Sequence, residues 1–376
     1  MDDATLAAPK PAPFDFARHP LLVIWETTRS CALACAHCRA DADATIDPRE
    51  LSTAEGRKLI DQVADMGTPI LVLSGGDPLM RKDLEDLTRH AKTRGLRVGT
   101  IPAATENLTR GRLESLKAAG LDQLAFSLDG ANALEHDSFR RTPGAFARVL
   151  EGVKWSSELG LATQINSCLG AWNFSSFERI VDLVSALPIA FWEVFFLIPV
   201  GRGAALGGLT PEQFELVFDR LHKLSRTADF VVKLTEGQHF RRFVLQKEAE
   251  AGPGAAARYD HAVARPASVR SGIRLPPRAV NAGDGFMFVD HLGGICPSGF
   301  LPEVRGDARK DSLAKVYRED ALFVGLRDHD RLTGKCGVCE FRQACGGSRA
   351  RAWAVTGDAW ASDASCAYVP AAAPAR

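Results

Sequence analysis

No stretch of this sequence is long and apolar enough to cross a membrane. Its first twenty residues, MDDATLAAPKPAPFDFARHP, lack the apolar centre of a secretory signal. Excess charge is missing as well: 46 Lys and Arg balance 46 Asp and Glu, so no global charge draws the chain to nucleic acid or a membrane surface. These absences predict a cytoplasmic protein with neither membrane nor nucleic-acid partners, in a compartment that keeps thiols reduced. There, nine cysteines read as metal ligands before disulfides. Seven of the nine fall in two clusters, Cys31/Cys35/Cys38 and Cys336/Cys339/Cys345/Cys366, while Cys168 and Cys296 stand apart. What the chain does have is length: 376 residues, 46% of them apolar and 24% charged, suit one large domain and a smaller one.

Between residue 21 and residue 235 apolar runs alternate with amphipathic stretches. The runs are Leu21–Trp25, Pro69–Leu73, Arg97–Ile101, Gln123–Leu128, Ala162–Ser167, Phe191–Pro199 and Phe230–Leu234. Helices are predicted near 52–66, 82–94, 109–119, 145–159, 174–186 and 210–225, with a capping box at Ser52–Glu55 and Pro211 at a first helical position. Such alternation predicts an α/β fold, a partial (β/α)6 TIM-like barrel over residues 20–250, with an open flavodoxin-like sheet as the alternative. Residues 1–19 are expected to be a disordered arm. The Ala-, Gly-, Pro- and Arg-rich stretch 251–283 reads as a flexible linker or lid, 284–370 as a small cysteine-rich domain, and 371–376 as a tail. A hairpin is expected to turn at Asp290–Gly294.

Cys31, Cys35 and Cys38 lie in SCALACAHC (30–38), with C-x3-C-x2-C spacing directly after the first apolar run. Three thiolates on a short loop can hold three corners of a cubane iron–sulfur cluster and leave the fourth iron without a protein ligand. An open position signals chemistry rather than a structural staple, by the reasoning that separates catalytic from structural zinc. The alternatives are half of a zinc site or a chance grouping. Zinc needs a fourth ligand, and His37, between two of the cysteines, is poorly placed to close a tetrahedron. Ligands of α/β sheets and barrels bind at the carboxyl ends of strands. Four more motifs are expected on that rim: Ser74–Pro78 (SGGDP), Ser127–Gly130 (SLDG), the trio Gln164, Asn166 and Cys168 sharing one strand face, and Pro199–Gly203 (PVGRG). Glu26, Glu193 and Glu236 alternate with apolar neighbours and can face inward, for proton handling or in structural ion pairs; no residue is assigned a catalytic role.

The cysteine loop resembles the signature of radical S-adenosylmethionine enzymes. The resemblance implies that the amino and carboxylate groups of S-adenosylmethionine chelate the free iron of a 4Fe-4S cluster. Reductive cleavage then gives a 5′-deoxyadenosyl radical that takes hydrogen from a substrate. Ser74–Pro78 is similar to the family's Gly-Gly-Glu-Pro element, which lies along the cofactor's methionine amino group, and implies cofactor contacts for Gly75, Gly76, Asp77 and Pro78. Two glycines also let a chain approach a ligand closely, and Asp77 stands where Glu is commoner. Ser127 and Asp129 match positions from which relatives hydrogen-bond the ribose, and Asn166 has similar standing. The family's Thr-Asn-Gly after the third strand is replaced by Pro102–Thr105, to which no role is assigned.

Cys336-x2-Cys339-x5-Cys345, with Cys366 further on, supplies four thiolates that can close a cubane, or a zinc ribbon. The segment resembles the SPASM domain of peptide-maturing radical enzymes, which implies an auxiliary 4Fe-4S cluster. Arg349 stands where that family has a further cysteine, and no cysteine precedes Cys296 in the domain, so one auxiliary cluster is expected rather than two. Cys296 is then a remnant of the missing site or simply a buried thiol. CPSGFLP (296–302) and CGVCEFRQACGGSRARAWAVTGD (336–358) look like the subfamily of siroheme-dependent heme and dioxo-heme synthesis. A short segment before the first strand, too short for a fused leader-peptide-binding domain, and an arginine-rich 251–283 able to meet propionates both lean towards a tetrapyrrole substrate. A peptide substrate is the alternative, and a non-catalytic electron-transfer or scaffold protein is the alternative of another class. The low-potential electron implies a flavodoxin or ferredoxin partner.

Overall fold

Short runs rich in Val, Ile, Leu and Phe, each closed by polar residues or glycine, form seven parallel strands in the computed structural model, which describes residues 14–251 and 280–372. They are β1 (Leu22–Glu26), β2 (Ile70–Ser74), β3 (Arg97–Thr100), β4 (Gln123–Ser127), β5 (Ala162–Leu169), β6 (Phe191–Phe196) and β7 (Val231–Thr235). Between them lie α1 (Thr53–Asp65), α2 (Leu84–Thr93), α3 (Arg110–Ala118), α4 (Ala133–Arg140), α5 (Ala145–Glu158), α6 (Phe177–Ser185) and α7 (Pro211–Ser225); α8 (Phe240–Ala251) follows β7. The expected capping box closes the start of α1, where Ser52 and Glu55 exchange backbone hydrogen bonds, and Thr210 with Gln213 does the same for α7. The α4 helix is not among the predicted ones, although Asn132, three residues before Glu135, caps it.

The strands are ordered β1 to β7 in sequence across the sheet, with no reversal. Right-handed crossovers in one direction lay every helix on the same face, which is how a sheet curls into a barrel. A flavodoxin-like sheet reverses direction at a switch point, so that alternative is overturned. On the far side of β1 the sheet continues through β8 (Phe286–Val289), β9 (Gly294–Cys296) and β10 (Gly306–Asp307). Here β8 and β9 are the expected hairpin, but β8 also pairs parallel to β1, from Leu22 opposite Phe286 to Trp25 opposite Val289. Hydrophobic periodicity cannot show that long-range pairing. The ends of the sheet, β7 and β10, leave it open.

One core runs from Val23 through the barrel strands to Met287, Val289, Leu313, Tyr317 and Phe323. The expected arm is ordered where it is described: Phe16 is buried and its carbonyl accepts the Tyr317 hydroxyl at 2.8 Å. Residues 1–13 of the arm, 252–279 of the expected linker and 373–376 of the tail lie outside the described residues. Among the described residues no helix is long and apolar enough to cross a membrane.

Candidate radical and auxiliary cluster sites

The cysteine loop leaves the carboxyl end of β1 and is stitched to the turn after β2. Thr27 N–H donates to the Ser74 carbonyl, Gly76 N–H to Thr28 and Asp77 N–H to Ser30, at 2.7–2.8 Å. A Cβ on Gly75 would lie 2.7 Å from the Thr28 carbonyl oxygen, and one on Gly76 2.4 Å from that of Arg29. Both glycines are therefore required by the approach of the cysteine loop itself, a neighbour that the sequence did not reveal. The Asp77 carboxylate, fully buried, accepts from Leu79 N–H at 3.1 Å, Ala103 N–H at 3.3 Å and the Thr105 hydroxyl at 2.7 Å. Burial raises its pKa and these donors oppose the rise. Pro102–Thr105 thus has a role after all, as the clasp on Asp77.

Pro199–Gly203 closes over the loop from the other side. Arg202 donates its Nε to the Cys35 carbonyl at 2.9 Å and an Nη to that of Ala42 at 3.0 Å. Its N–H reaches the Cys38 carbonyl at 3.0 Å. Asp129, at the end of β4, is buried and pairs with Arg140 at the end of α4, while its other oxygen accepts Cys168 N–H at 2.8 Å. Burial favours a neutral Asp129, but the Arg140 guanidinium, the neighbouring His37 and His136 and the Cys168 N–H together outweigh it and hold the carboxyl below its ordinary range. Arg140 also reaches the Cys35 sulfur at 3.5 Å, so the Asp129–Arg140 pair sits directly behind the loop. Ser127 makes no side-chain hydrogen bond among the described residues. Asn166, opposite it in the β4–β5 register, accepts from Gln164 at 2.7 Å. His37 stacks on Phe139 with centroids 4.7 Å apart, and Phe139 on Trp172 at 4.6 Å. Burial drives the His37 pKa down to about 4, leaving a neutral ring over the loop.

The two cysteine groups share one local pattern. Cys31 accepts Leu33 N–H, Cys38 accepts Ala42 N–H, Cys336 accepts Asp363 N–H and Cys345 accepts Gly347 N–H, all at 3.4 Å. Backbone N–H groups of Phe341 and Tyr368 bond to Cys339 and Cys366. With Arg140 on Cys35, each of the seven sulfurs faces a donor, and hydrogen bonds to sulfur are one of the means by which a protein tunes an iron–sulfur cluster. The remaining two differ. Cys296 Sγ is 3.9 Å from the Gly294 carbonyl, a donor's geometry, and Cys168 is bonded through its backbone. Burial pushes the free Cys31 thiol up to about 12, so a thiolate there needs a cation on the sulfur. The donor set fits cubane clusters in both places. Cys336, Cys339, Cys345 and Cys366 line one cavity of about 30 Å³ with His239, Arg242 and Lys335. Arg349 is wholly buried and donates to the Ala359 and Ala361 carbonyls at 2.8 Å, tying down the chain before Cys366.

The three carboxylates singled out in the sequence are all paired. Glu26 binds Arg39 at 2.6 Å and His291 at 3.0 Å, beside a cavity of about 240 Å³ also bordered by Arg29, Asp290 and Cys296. Glu193 accepts from Gln164 and Thr235, both at 2.6 Å. Glu236, at a φ of +59°, accepts the Ser348 hydroxyl.

Residues 25–184 match the model of the radical SAM superfamily. The chain is 35% identical over 352 residues to an AdoMet-dependent heme synthase of Methanosarcina barkeri, covering 93% of this chain and 97% of that one. It is 28% identical to a PqqA peptide cyclase of Rhodopseudomonas palustris, over 93% of this chain and 88% of that one. Streptococcus suis SuiB, solved bound to S-adenosylmethionine, has the same fold, with a TM-score of 0.69 at 16% identity, covering 93% of this chain and 78% of that one. Similarity at that level over nearly the full length of both chains, together with the cysteine loop on the strand rim, makes this chain a member of the radical S-adenosylmethionine superfamily, enzymes that use a 4Fe-4S cluster and S-adenosylmethionine.

Proposed function

We propose that this radical S-adenosylmethionine enzyme acts on a tetrapyrrole in heme-type biosynthesis, in the cytoplasm, with a flavodoxin or ferredoxin as electron donor. The observation that carries the reading is the 35% identity to a heme synthase along nearly the whole of both chains, against 28% to a peptide cyclase. Cys31, Cys35 and Cys38 would hold the cluster that engages the cofactor, and Cys336, Cys339, Cys345 and Cys366 a closed auxiliary 4Fe-4S cluster. When bound, cluster and S-adenosylmethionine together supply the hydrogen-abstracting 5′-deoxyadenosyl radical. The chain's own part is placement and exclusion of water. The backbone of Gly75, Gly76 and Pro78 and the side chains of Ser127 and Asn166 line the rim where the cofactor would lie. Asp77 and Asp129 would contact the cofactor from the same rim, where Thr105 and Arg140 hold their carboxylates in place.

The electron-carrier alternative is set aside by membership of an enzyme family. The peptide alternative is decided by experiment. Anaerobic enzyme loaded with iron and sulfide is mixed with reduced flavodoxin, S-adenosylmethionine and a propionate-bearing iron porphyrin. We expect 5′-deoxyadenosine to form in step with a change in the porphyrin's mass, and Cys35→Ala to abolish both. Formation of 5′-deoxyadenosine with the porphyrin left intact would overturn the tetrapyrrole reading.

A further inference from the structure

His239 stands just after β7, at the start of α8, and its side chain is 1% exposed. Neither ring nitrogen has a hydrogen-bond partner among the described residues. Phe214 and Phe218 hold the ring at centroid distances of 4.9 and 4.7 Å, so it cannot swing to find one. Its nearest carboxylate, Asp363, is 3.8 Å from Nδ1, beyond hydrogen-bond reach. Asp363 is also occupied: it accepts Ser348 N–H at 2.8 Å, the Ser365 hydroxyl at 2.7 Å and the Arg351 guanidinium at 3.3 Å. A buried imidazole without a partner is rare, and each instance calls for one. The only cavity that His239 lines among those described is the one walled by Cys336, Cys339, Cys345 and Cys366.

We propose that His239 is a positioning residue of the auxiliary cluster, donating a ring N–H to one of the cluster's sulfurs and so setting its reduction potential. The inference rests on the auxiliary-cluster reading given above. A donor aimed at sulfur favours the more negatively charged, reduced state, one of the ways a protein raises a cluster's potential. Arg242 and Lys335, on the same wall, add positive charge in the same direction. Because Phe214 and Phe218 belong to α7, the contact also ties the auxiliary site to the barrel rather than to the C-terminal segment alone.

The test is a potentiometric titration of the fully loaded protein followed by electron paramagnetic resonance, with iron counted beforehand. In His239→Phe the auxiliary signal should titrate at a more negative potential while the S-adenosylmethionine-responsive signal stays in place, and His239→Gln, which keeps a donor, should move it back. The reduced wild-type protein labelled with 15N-histidine should show a weak nitrogen coupling to the auxiliary cluster, a measurement that needs no variant. An unmoved potential with both clusters present, or absence of the coupling, overturns the role of His239. Loss of the auxiliary iron in His239→Phe, or a strong coupling, would make it an iron ligand and overturn the hydrogen bond. If the wild-type chain holds one cluster's worth of iron, it is the auxiliary-cluster reading that fails.

Discussion

The Asp129–Arg140 pair shows what a single residue does behind the radical site. Both groups are nearly withdrawn from water, with side-chain exposures of 1% and 11%, so removing one strands the other. Arg140→Met should cost about 3–5 kcal/mol, as expected for an uncompensated buried charge. Adding Asp129→Asn should restore much of the loss, since a neutral amide needs no counter-charge. Melting curves of the two single variants and the double variant check this. The Glu26–His291 pair gives a pH dependence. Burial alone would lower the His291 pKa, but the hydrogen bond and charge of Glu26, with the charges of Asp290 and Glu50, together raise it above 6.5. Burial would likewise raise Glu26, yet Arg39 and His291 bring it below 4.5. A raised histidine stabilises fully below its unfolded pKa, and that contribution is lost as pH rises through the folded value. A lowered glutamate stabilises above its unfolded pKa and loses the effect as pH falls. The pair is thus strongest between the two, from just above pH 4.5 to about 6.5. Denaturation at pH 6 and pH 9 should show the native chain losing stability across the interval, and His291→Gln losing less.

At the scale of elements, the loop depends on the two turns that clasp it. Gly76→Ala would push a methyl against the Arg29 and Ser30 carbonyls, at 2.4 and 2.6 Å, and backbone cannot give way as a side chain can. It should destabilise by about 1–3 kcal/mol, as overpacking does. It should also lower iron bound at Cys31, Cys35 and Cys38, leaving the C-terminal iron in place, which iron and sulfide assays of the variant measure. Gly111→Ala in α3, with nothing within 4 Å, is the control and should stabilise by up to about 1 kcal/mol. Here the limits of the sequence are plain. Strand positions, the glycine pair and the grouping of the cysteines were legible because local composition and spacing carry them. The partners of those residues were not. Asp129 reads as a ribose contact and Asp77 as a cofactor contact, but nothing local shows that Arg140 on α4 pairs with the one or that Thr105 bonds to the other. Contacts between elements, whether ion pair or hydrogen bond, follow from packing that no periodicity encodes. One signal was available: Asn132 followed by Glu135 is a helix start, and it predicts the helix that carries Arg140.

Across the whole molecule, the C-terminal segment behaves as part of the barrel. Its first strand, β8, pairs along β1, the same strand whose end launches the cysteine loop. Met287 and Val289 on β8 are fully buried in the core that also holds Val23 and Trp25. Each such side chain contributes about 1.5–3 kcal/mol by burial. Tyr317 seals the arrangement from beyond the hairpin, accepting Gly285 N–H at 3.0 Å while its hydroxyl reaches Phe16. Cutting the chain after residue 250 would therefore bare one edge of β1, leave that strand paired to β2 alone and expose the core around Trp25. An unpaired, apolar strand edge recruits other chains. The fragment 1–250 should aggregate rather than fold, and it should fail to retain iron at Cys31, Cys35 and Cys38, although all three remain in it. In the full chain, backbone amides of β1 and β8 should exchange with solvent at one common rate, because opening either strand opens the other. Hydrogen exchange read segment by segment decides the matter: β8 exchanging well ahead of a still protected β1 would mean that the barrel stands without its C-terminal strands. The radical and auxiliary sites would then belong to separable units.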